Sequence, residues 1–297
     1  MKTATLPEIE QIVCPCGSQA RQVDVFQTST RRYVRCSDCG LVFLNPRPVK
    51  AAVEEFYRED YDEAYGEAEA SSDRQPVFEN VVRRVSLYRQ PPGRLLDIGC
   101  GDGALLLLCR SAGWTCYGLE LSKKAAARAA RRGFTMLPPD WLERTGDRES
   151  FDVITLVNVL QTLTNPANFL RQVSDALAPS GVVIIRETNG AFHLPMRMPT
   201  RWVGSRTDQA FQLFLYSPHS LRAFLQRIGW ETIAIHNSVP SRGPLTPANP
   251  WVSRLKWRIG AAAFWSCAEL LFKVTGGRVV WAPSFELIAR RSEGCHE

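Results

Sequence analysis

The sequence lacks several features, and each absence narrows the reading. Its first residues, Met1-Lys-Thr-Ala-Thr-Leu-Pro7, contain no apolar core of the kind a signal peptide needs, which points to the cytoplasm. No internal repeat is visible, so a solenoid or propeller is not expected. No long run of one charge occurs. The densest basic clusters are pairs (Arg31-Arg32, Arg83-Arg84, Lys123-Lys124, Arg131-Arg132, Arg290-Arg291), the pattern of solvated helix faces. The formal net charge of +6 therefore permits nucleic acid, anionic lipid or a phosphorylated substrate without demanding any of them. The apolar run Ile259 to Phe272, with Glu269 as its one charge, falls short of the roughly 20 residues a membrane span requires. A paired cysteine framework is also missing. The chain has nine cysteines, an odd number, with four in two close pairs near the N-terminus and five scattered, which suits a reducing compartment and one metal site.

What is present fills 297 residues, enough for one large α/β domain and a small accessory module. Four parts can be read. Residues 10–46 hold the paired cysteines and short β-type runs (Gln22 to Phe26, Tyr33 to Arg35, Leu41 to Phe43) and close on Asn45-Pro-Arg-Pro48. Residues 47–92 form a helical cap or linker: Val53, Phe56 and Tyr57 have helical spacing, and Val77, Val81, Val82, Val85 and Tyr88 resume it after the polar break at Ser71-Ser-Asp73. Residues 93–291 make the large domain, with a helical insertion at about 237–283. There a proline-rich connection (Pro240, Pro244, Pro247, Pro250) precedes an apolar helix from about Val252 to Val274. That helix is expected to pack on the domain, with peripheral membrane contact through 252–274 as the alternative.

Within the large domain, strands and helices alternate. Strands are expected at 94–98, 115–120, 151–157, 181–186, 230–235 and 284–289. Helices are expected at 104–112, 122–132, 166–177 and 217–228, with Ser122 and Ser217 as caps and Pro218 at a first helical position. Apolar strands in βα alternation imply a mostly parallel sheet covered on both faces.

The first strand, Leu95-Leu-Asp-Ile98, runs into Gly99-Cys-Gly-Asp-Gly103. Three glycines where the chain turns sharply let the backbone approach a ligand, and the next helix presents its free N–H groups to it. Taken alone, this says only that a nucleotide-type cofactor binds. Two features refine it: the glycine spacing is one residue shorter than the dinucleotide fingerprint, and Glu120 closes the next strand where it can grip a ribose diol. LLDIGCGDG followed by YGLELS resembles the first two motifs of class I S-adenosylmethionine-dependent methyltransferases. FDVITLVNVLQTLTNPANFLRQVSDALAPSGVVII and FQLFLYSPHSLRAFLQRIGWETIAI resemble later segments of that family.

The resemblance covers about residues 76–291. It implies a Rossmann-like sheet of seven strands with the last antiparallel and S-adenosyl-L-methionine as cofactor. It also implies that Asp97, Gly99, Cys100, Gly101 and Gly103 shape the cofactor pocket, with Glu120 on the ribose, Leu121, Asp140 and Trp141 around the adenine, and Asn158, Val159 and Leu160 beside the methionine moiety. Two departures stand out. Gln161-Thr162 replaces a Glu-His pair common in the family, and Pro179-Ser-Gly181 replaces Pro-Gly-Gly.

Cys14-Pro-Cys16-Gly17 and Cys36-Ser-Asp-Cys39-Gly40 form two turns, each ending Cys-Gly. Four thiolates suit a closed tetrahedral structural Zn²⁺ site, although the first pair is one residue shorter than usual. A ribbon this small has little core, so metal would supply much of its folding energy. Ribbon, Leu-Asn-Pro-Arg-Pro, a tyrosine-bearing helix and a methyltransferase domain in succession are similar to bacterial methyltransferases found with polysaccharide and secondary-metabolite genes, some of them sugar C-methyltransferases. Those sugar enzymes carry a further C-terminal domain that this sequence does not show.

The expected activity is methyl transfer to oxygen or carbon of a small-molecule, sugar or lipid-linked acceptor. For a hydroxyl acceptor a base is needed beyond the carboxyl ends of the strands. His193 is the first candidate, His219 the second and Glu187 the third. Tyr57, Tyr61, Phe211, Phe214 and Tyr216 are candidates to line the acceptor pocket. Two alternatives stand beside this reading: an RNA methyltransferase holding nucleic acid through the ribbon, which lacks an aromatic-basic platform, and a non-catalytic cofactor-binding protein, suggested by Gln161-Thr162.

Overall fold

The computed structural model describes residues 8–27, 31–61, 74–144, 150–197, 212–239 and 263–292. The N-terminal part contains β1 (Ile9–Glu10), β2 (Gln22–Gln27), β3 (Arg32–Cys36), β4 (Val42–Leu44) and β5 (Arg47–Pro48). There follow β6 (Arg94–Ile98), β7 (Thr115–Leu119), β8 (Thr135–Leu137), β9 (Phe151–Val157), β10 (Leu177–Thr188), β11 (Phe214–Leu215), β12 (Trp230–Ser238) and β13 (Ser284–Arg291). Seven of these form one sheet in the order β12-β13-β10-β9-β6-β7-β8. β13 runs antiparallel to both its neighbours, while β6 to β10 are mutually parallel. This is the mostly parallel sheet that the alternation implied, with the seven strands and antiparallel last strand of the Rossmann-like fold that the resemblance implied.

The helices that cross between strands start where the sequence caps them. Ser122 Oγ accepts from the N–H of Ala125 before the helix Lys123–Arg131. Ser217 and Ser220 cap each other reciprocally before Pro218–Arg227, with Pro218 in the first turn. Apolar faces of these helices cover both sides of the sheet, producing two buried clusters, one around Ile154, Leu156 and Ile185 and the other around Leu95, Val153 and Ile184. Chain order reverses between β6 and β9, so the crevice at their carboxyl ends is where a ligand fits an open α/β sheet.

Several elements differ from expectation at their edges. β8 is a three-residue edge strand, too short to show a period. β10 begins at Leu177 rather than Gly181, and its register against β9 shifts between Leu177 and Val182, so Pro179-Ser-Gly181 lies in an irregularity of the strand. A short helix, Gly190–Arg197, follows β10. The expected break at residues 71–73, the four prolines of the connection and the first part of the 252–274 helix lie outside the described residues; 263–274 is helical. No described helix is long and apolar enough to cross a membrane.

The cysteine-bearing module is joined to the large domain by backbone pairing. Its sheet reads β11-β4-β3-β2, so a strand from residues 214–215 completes it. Phe214 pairs with Phe43 and Leu215 with Val42. The N–H of Leu44 donates to the carbonyl of Leu213 at 2.8 Å, and Tyr33 Oη donates to that of Gln212 at 2.9 Å. Val34, Leu41 and Phe43 are fully buried in the same core as Leu160, Leu213 and Phe224. The cap helix Lys50–Glu55 widens into a π-helical turn, Phe56–Asp60, from which Glu59 meets Lys123 at 2.6 Å.

Candidate functional site

The strand β6 ends at buried Asp97, and the chain turns through Gly99, Gly101 and Gly103 with φ of 73°, 56° and 82°. All three are left-handed, the region a side chain resists. Gly99 has a second reason: a Cβ there would sit 2.7 Å from Val159 Cγ2 of the facing loop. The carboxylate of Glu120, at the end of β7, closes the turn by accepting from the N–H of Gly101 at 2.9 Å and of Ser122 at 2.8 Å. Asp97 accepts from Thr155 Oγ1 at 2.7 Å. Burial raises the Asp97 pKa to about 7, opposed by that hydrogen bond and reinforced by the charge of Glu120. Cys100 is buried with its thiol turned toward Gly118, where a Cβ would meet Sγ at 2.8 Å. Any contact it makes with a cofactor would run through its backbone.

The opposite wall is the loop after β9. Asn158 has φ of 60°, the one non-glycine residue with positive φ among those described. Arg186, on the neighbouring strand β10, holds it from two directions: its carbonyl accepts from Asn158 N at 2.8 Å and its Nη1 donates to Asn158 Oδ1 at 2.7 Å. The guanidinium is fully buried and also donates to Ser238 Oγ, Ser284 Oγ and the carbonyl of Val239. Glu286, its cross-strand partner, is equally buried and accepts from Asn80, Ser238 and Arg84. Burial lowers the Arg186 pKa to about 10, with Glu286 opposing, so it stays charged at neutral pH. A buried pair of this kind is stable only when every polar atom is satisfied, which here ties the loop to β12, β13 and the helix Gln75–Tyr88.

The remaining expected residues separate. Val159 and fully buried Leu160 follow Asn158 in the wall. Leu121 is half-buried beside Glu120. Asp140 is exposed and paired with Arg144 at 3.0 Å, while the Trp141 indole packs edge-on against Phe151 at 5.6 Å. His193 Nε2 lies 3.0 Å from the carbonyl of Pro283, so it donates to a backbone oxygen. His219 is exposed and lies against the ribbon, near Gly40. The Tyr57 and Tyr61 rings meet at a tilt on the cap, 5.0 Å apart, Phe214 is core, and Phe211 lies outside the described residues.

Glu187, at the end of β10, is different. It is completely buried, and neither carboxyl oxygen makes a hydrogen bond among the described residues. Burial raises its pKa to about 8; the nearby N–H groups of Gln161 and Leu160 pull it down but stand outside hydrogen-bonding geometry. The Tyr216 hydroxyl, equally buried and equally unpartnered, feels the charge of Glu187. A buried polar group without a partner costs on the order of 1–3 kcal/mol, so each of the two calls for a proton or a ligand hydroxyl.

The sulfurs of Cys14, Cys16, Cys36 and Cys39 lie within 4.8 Å of one another, with Cys14 and Cys39 at 3.6 Å. The Cys14 hydrogen bond draws the Cys39 pKa down to about 5 against burial, while the same bond and burial drive Cys14 up. Gly17 and Gly40 have positive φ and donate to the carbonyls of Cys14 and Cys36, closing both turns. Arg227, the last residue of the helix Pro218–Arg227, donates to Cys16 Sγ at 3.4 Å and pairs with Asp38 at 2.8 Å. The cluster can hold a metal ion.

A family model described as a methyltransferase domain matches residues 71–235, more than half of the chain. The chain belongs to this family. Among curated proteins, the methyltransferase is similar to a ubiquinone biosynthesis O-methyltransferase of Caulobacter sp. (strain K31), 32% identical over 145 residues that cover 44% of this chain and 57% of that protein. The Caulobacter vibrioides protein of the same name is 30% identical over 144 residues, covering 44% and 56%. The chain thus spans about half the length of the curated relatives it matches. Among solved structures, magnesium protoporphyrin IX methyltransferase of Synechocystis, with bound S-adenosylhomocysteine, superposes with a TM-score of 0.55 at 13% identity, over 82% of this chain and all of that one. An S-adenosylmethionine-dependent methyltransferase of Archaeoglobus fulgidus gives 0.53 at 18% identity, over 78% and 100%. These likenesses concern the fold.

Arg186 and Glu286 were missed by reading the sequence, although a signal existed. Glu286 is the one charge within Ser284 to Ala289 and Arg186 closes the apolar run Val182 to Ile185, and two such strands side by side bring buried charges opposite each other. Tyr216 was read as a pocket aromatic; its buried, orphaned hydroxyl, which feels the charge of Glu187, depends on the tertiary fold and was not readable.

Proposed function

We propose that this methyltransferase uses S-adenosylmethionine to methylate a hydroxyl of a small-molecule, sugar or lipid-linked acceptor, with Glu187 as the base. The observation that carries the cofactor assignment is the glycine turn locked by Glu120 and faced by Asn158-Val159. Glu120 has a carboxylate fixed for a diol, and the turn leaves no room for a Cβ at Gly99. When bound, the cofactor supplies an electrophilic methyl group on a sulfonium. Asp97, Gly99, Gly101, Gly103 and Glu120 would bind and orient it, and Asn158, fixed by Arg186, would line the facing wall. Glu187 would take the proton that the acceptor hydroxyl gives up, and Tyr216 would orient the acceptor oxygen. Glu187 beneath Gln161 does the work of the acid-histidine pair that the sequence lacks there. The names of the Caulobacter relatives support oxygen as the accepting atom. Structural Zn²⁺ on Cys14, Cys16, Cys36 and Cys39 fits the sulfur spacing, since bonds of about 2.3 Å in a tetrahedron put sulfurs about 3.8 Å apart. Four free thiols in that cluster fit the cytoplasm.

The test is transfer of labelled methyl from S-adenosylmethionine to small molecules of a cell extract. Hot hydriodic acid should release the label as methyl iodide, as from an ether; a label that resists would put the methyl on carbon or nitrogen and overturn the acceptor assignment. Glu187→Gln should lower turnover by about 10²–10⁴-fold while leaving S-adenosylhomocysteine affinity unchanged. Wild-type rate should climb with pH through about 8, where the carboxylate forms, and the variant should lack that limb. The folded pKa is raised above the unfolded value, so protonation favours the fold. Its stabilising effect is complete below about 4.5 and lost as pH rises through about 8, and Glu187→Gln should melt above wild type at pH values higher than that. A variant with full rate and an unchanged pH profile would remove Glu187 from the reaction.

A further inference from the structure

The helix at 263–274 packs on the sheet by one face. Ala268 is buried, Phe272 lies 5.7 Å from the His236 ring, and Glu269, its one acid, is turned inward to accept from Asn237 Nδ2 at 3.2 Å. The outward face repeats at helical spacing and is also apolar: Ala263, Cys267, Leu270, Leu271 and Val274 are all exposed. Leu270 is 62% and Val274 76% exposed, and Val279 and Trp281 extend the same surface past the helix. Half of the ten large apolar side chains exposed among the described residues fall between 270 and 281; the other five are scattered. The charges that share this outward surface, Lys273 and Arg278, are both positive and exposed. A helix apolar on both faces needs a second cover. Apolar side chains and tryptophan edged by cations, on a helix too short to span, are the chemistry of a segment lying in the headgroup layer of an anionic membrane.

Position adds to this. Phe264, near the start of the helix, packs against Phe192 at 5.7 Å and Trp281 at 5.0 Å. Phe192 belongs to the helix that follows the carboxyl end of β10, the end at which Asn158 and Glu187 sit. The apolar surface therefore adjoins the end of the sheet that carries the site.

We infer that the exposed face of residues 263–281 docks the protein on an anionic lipid surface, with Leu270, Leu271, Val274 and Trp281 entering the headgroup layer and Lys273 and Arg278 meeting lipid phosphate. This goes beyond the proposed methyl transfer and is tested without it. Full-length protein is sedimented with vesicles of equal parts phosphatidylglycerol and phosphatidylcholine, and with phosphatidylcholine alone. The protein should pellet with the anionic vesicles, and less so as salt rises. The double variant Leu270→Glu/Val274→Glu should lose at least about tenfold in vesicle affinity. Lys273→Glu/Arg278→Glu should lose the preference for phosphatidylglycerol, and both variants should keep S-adenosylhomocysteine binding. Wild type that stays in the supernatant, or that pellets equally as either variant, overturns the inference. A dimer that disperses in Leu270→Glu/Val274→Glu, without vesicle binding, would give the face to a second copy of the chain. A drop in melting temperature of that variant, again without vesicle binding, would mean that the chain covers the face itself.

Discussion

Gly101→Val is expected to weaken S-adenosylhomocysteine binding by at least about a hundredfold, equivalent to roughly 2.7 kcal/mol. Two effects combine. Gly101 has φ of 56°, and a left-handed backbone costs an L-residue about 1–2 kcal/mol, more for a β-branched one. Relief of that strain moves the Gly101 N–H, which holds one oxygen of Glu120, so the carboxylate proposed to grip the ribose loses its orientation. The core beneath is untouched, and the far-ultraviolet spectrum should not change. Asp97→Ala should act in the same direction by emptying the acceptor of Thr155 Oγ1 at the base of the turn. Titration calorimetry checks both, and unchanged affinity in the two variants together would sink the cofactor assignment.

The second large effect concerns the cysteines. Purified protein should contain about one zinc per chain, and Cys39→Ser or strong chelation should lower the melting temperature by on the order of 10 °C. The drop should exceed what local loss of a small module would cause, for a structural reason. β4, beside the cluster, is paired with β11 of the large domain, and Arg227 on the helix Pro218–Arg227 reaches Cys16 and Asp38. Loosening the four thiolates therefore exposes Phe43, Phe214 and Leu213, which are fully buried. Differential scanning calorimetry with metal analysis reads this directly. Protein that is metal-free and melts at the holo temperature would remove zinc from the account.

Much of the central domain was legible because local signals agreed. The apolar run of β9, the serine cap before Lys123–Arg131 and the Ser217-Pro218 start before Pro218–Arg227 each specify one structure, and the tertiary fold did not override them. The short elements failed for want of information: β8 and β11 span three and two residues and exist because a neighbouring edge offers them partners. Candidate bases were sought past the carboxyl ends of the strands, in the order His193, His219 and Glu187. A place past a strand end does not say which way a side chain points. One histidine faces the Pro283 carbonyl, the other lies exposed against the ribbon, and the third candidate, Glu187, points into the core beneath the loop of β9.

The sequence by itself determined the sheet, the glycine turn with Glu120, and the four clustered thiols, because each rests on residues close along the chain whose spacing sets their geometry. Only the tertiary structure decided the rest. Arg186 holds Asn158, Glu187 and the Tyr216 hydroxyl are each buried without a partner, and the ribbon borrows its fourth strand from residues 214–215. These are properties of burial and of contacts between distant segments. Desolvation raises the Glu187 pKa only because strands and loops far apart in the chain close over it, and no local pattern encodes that closure.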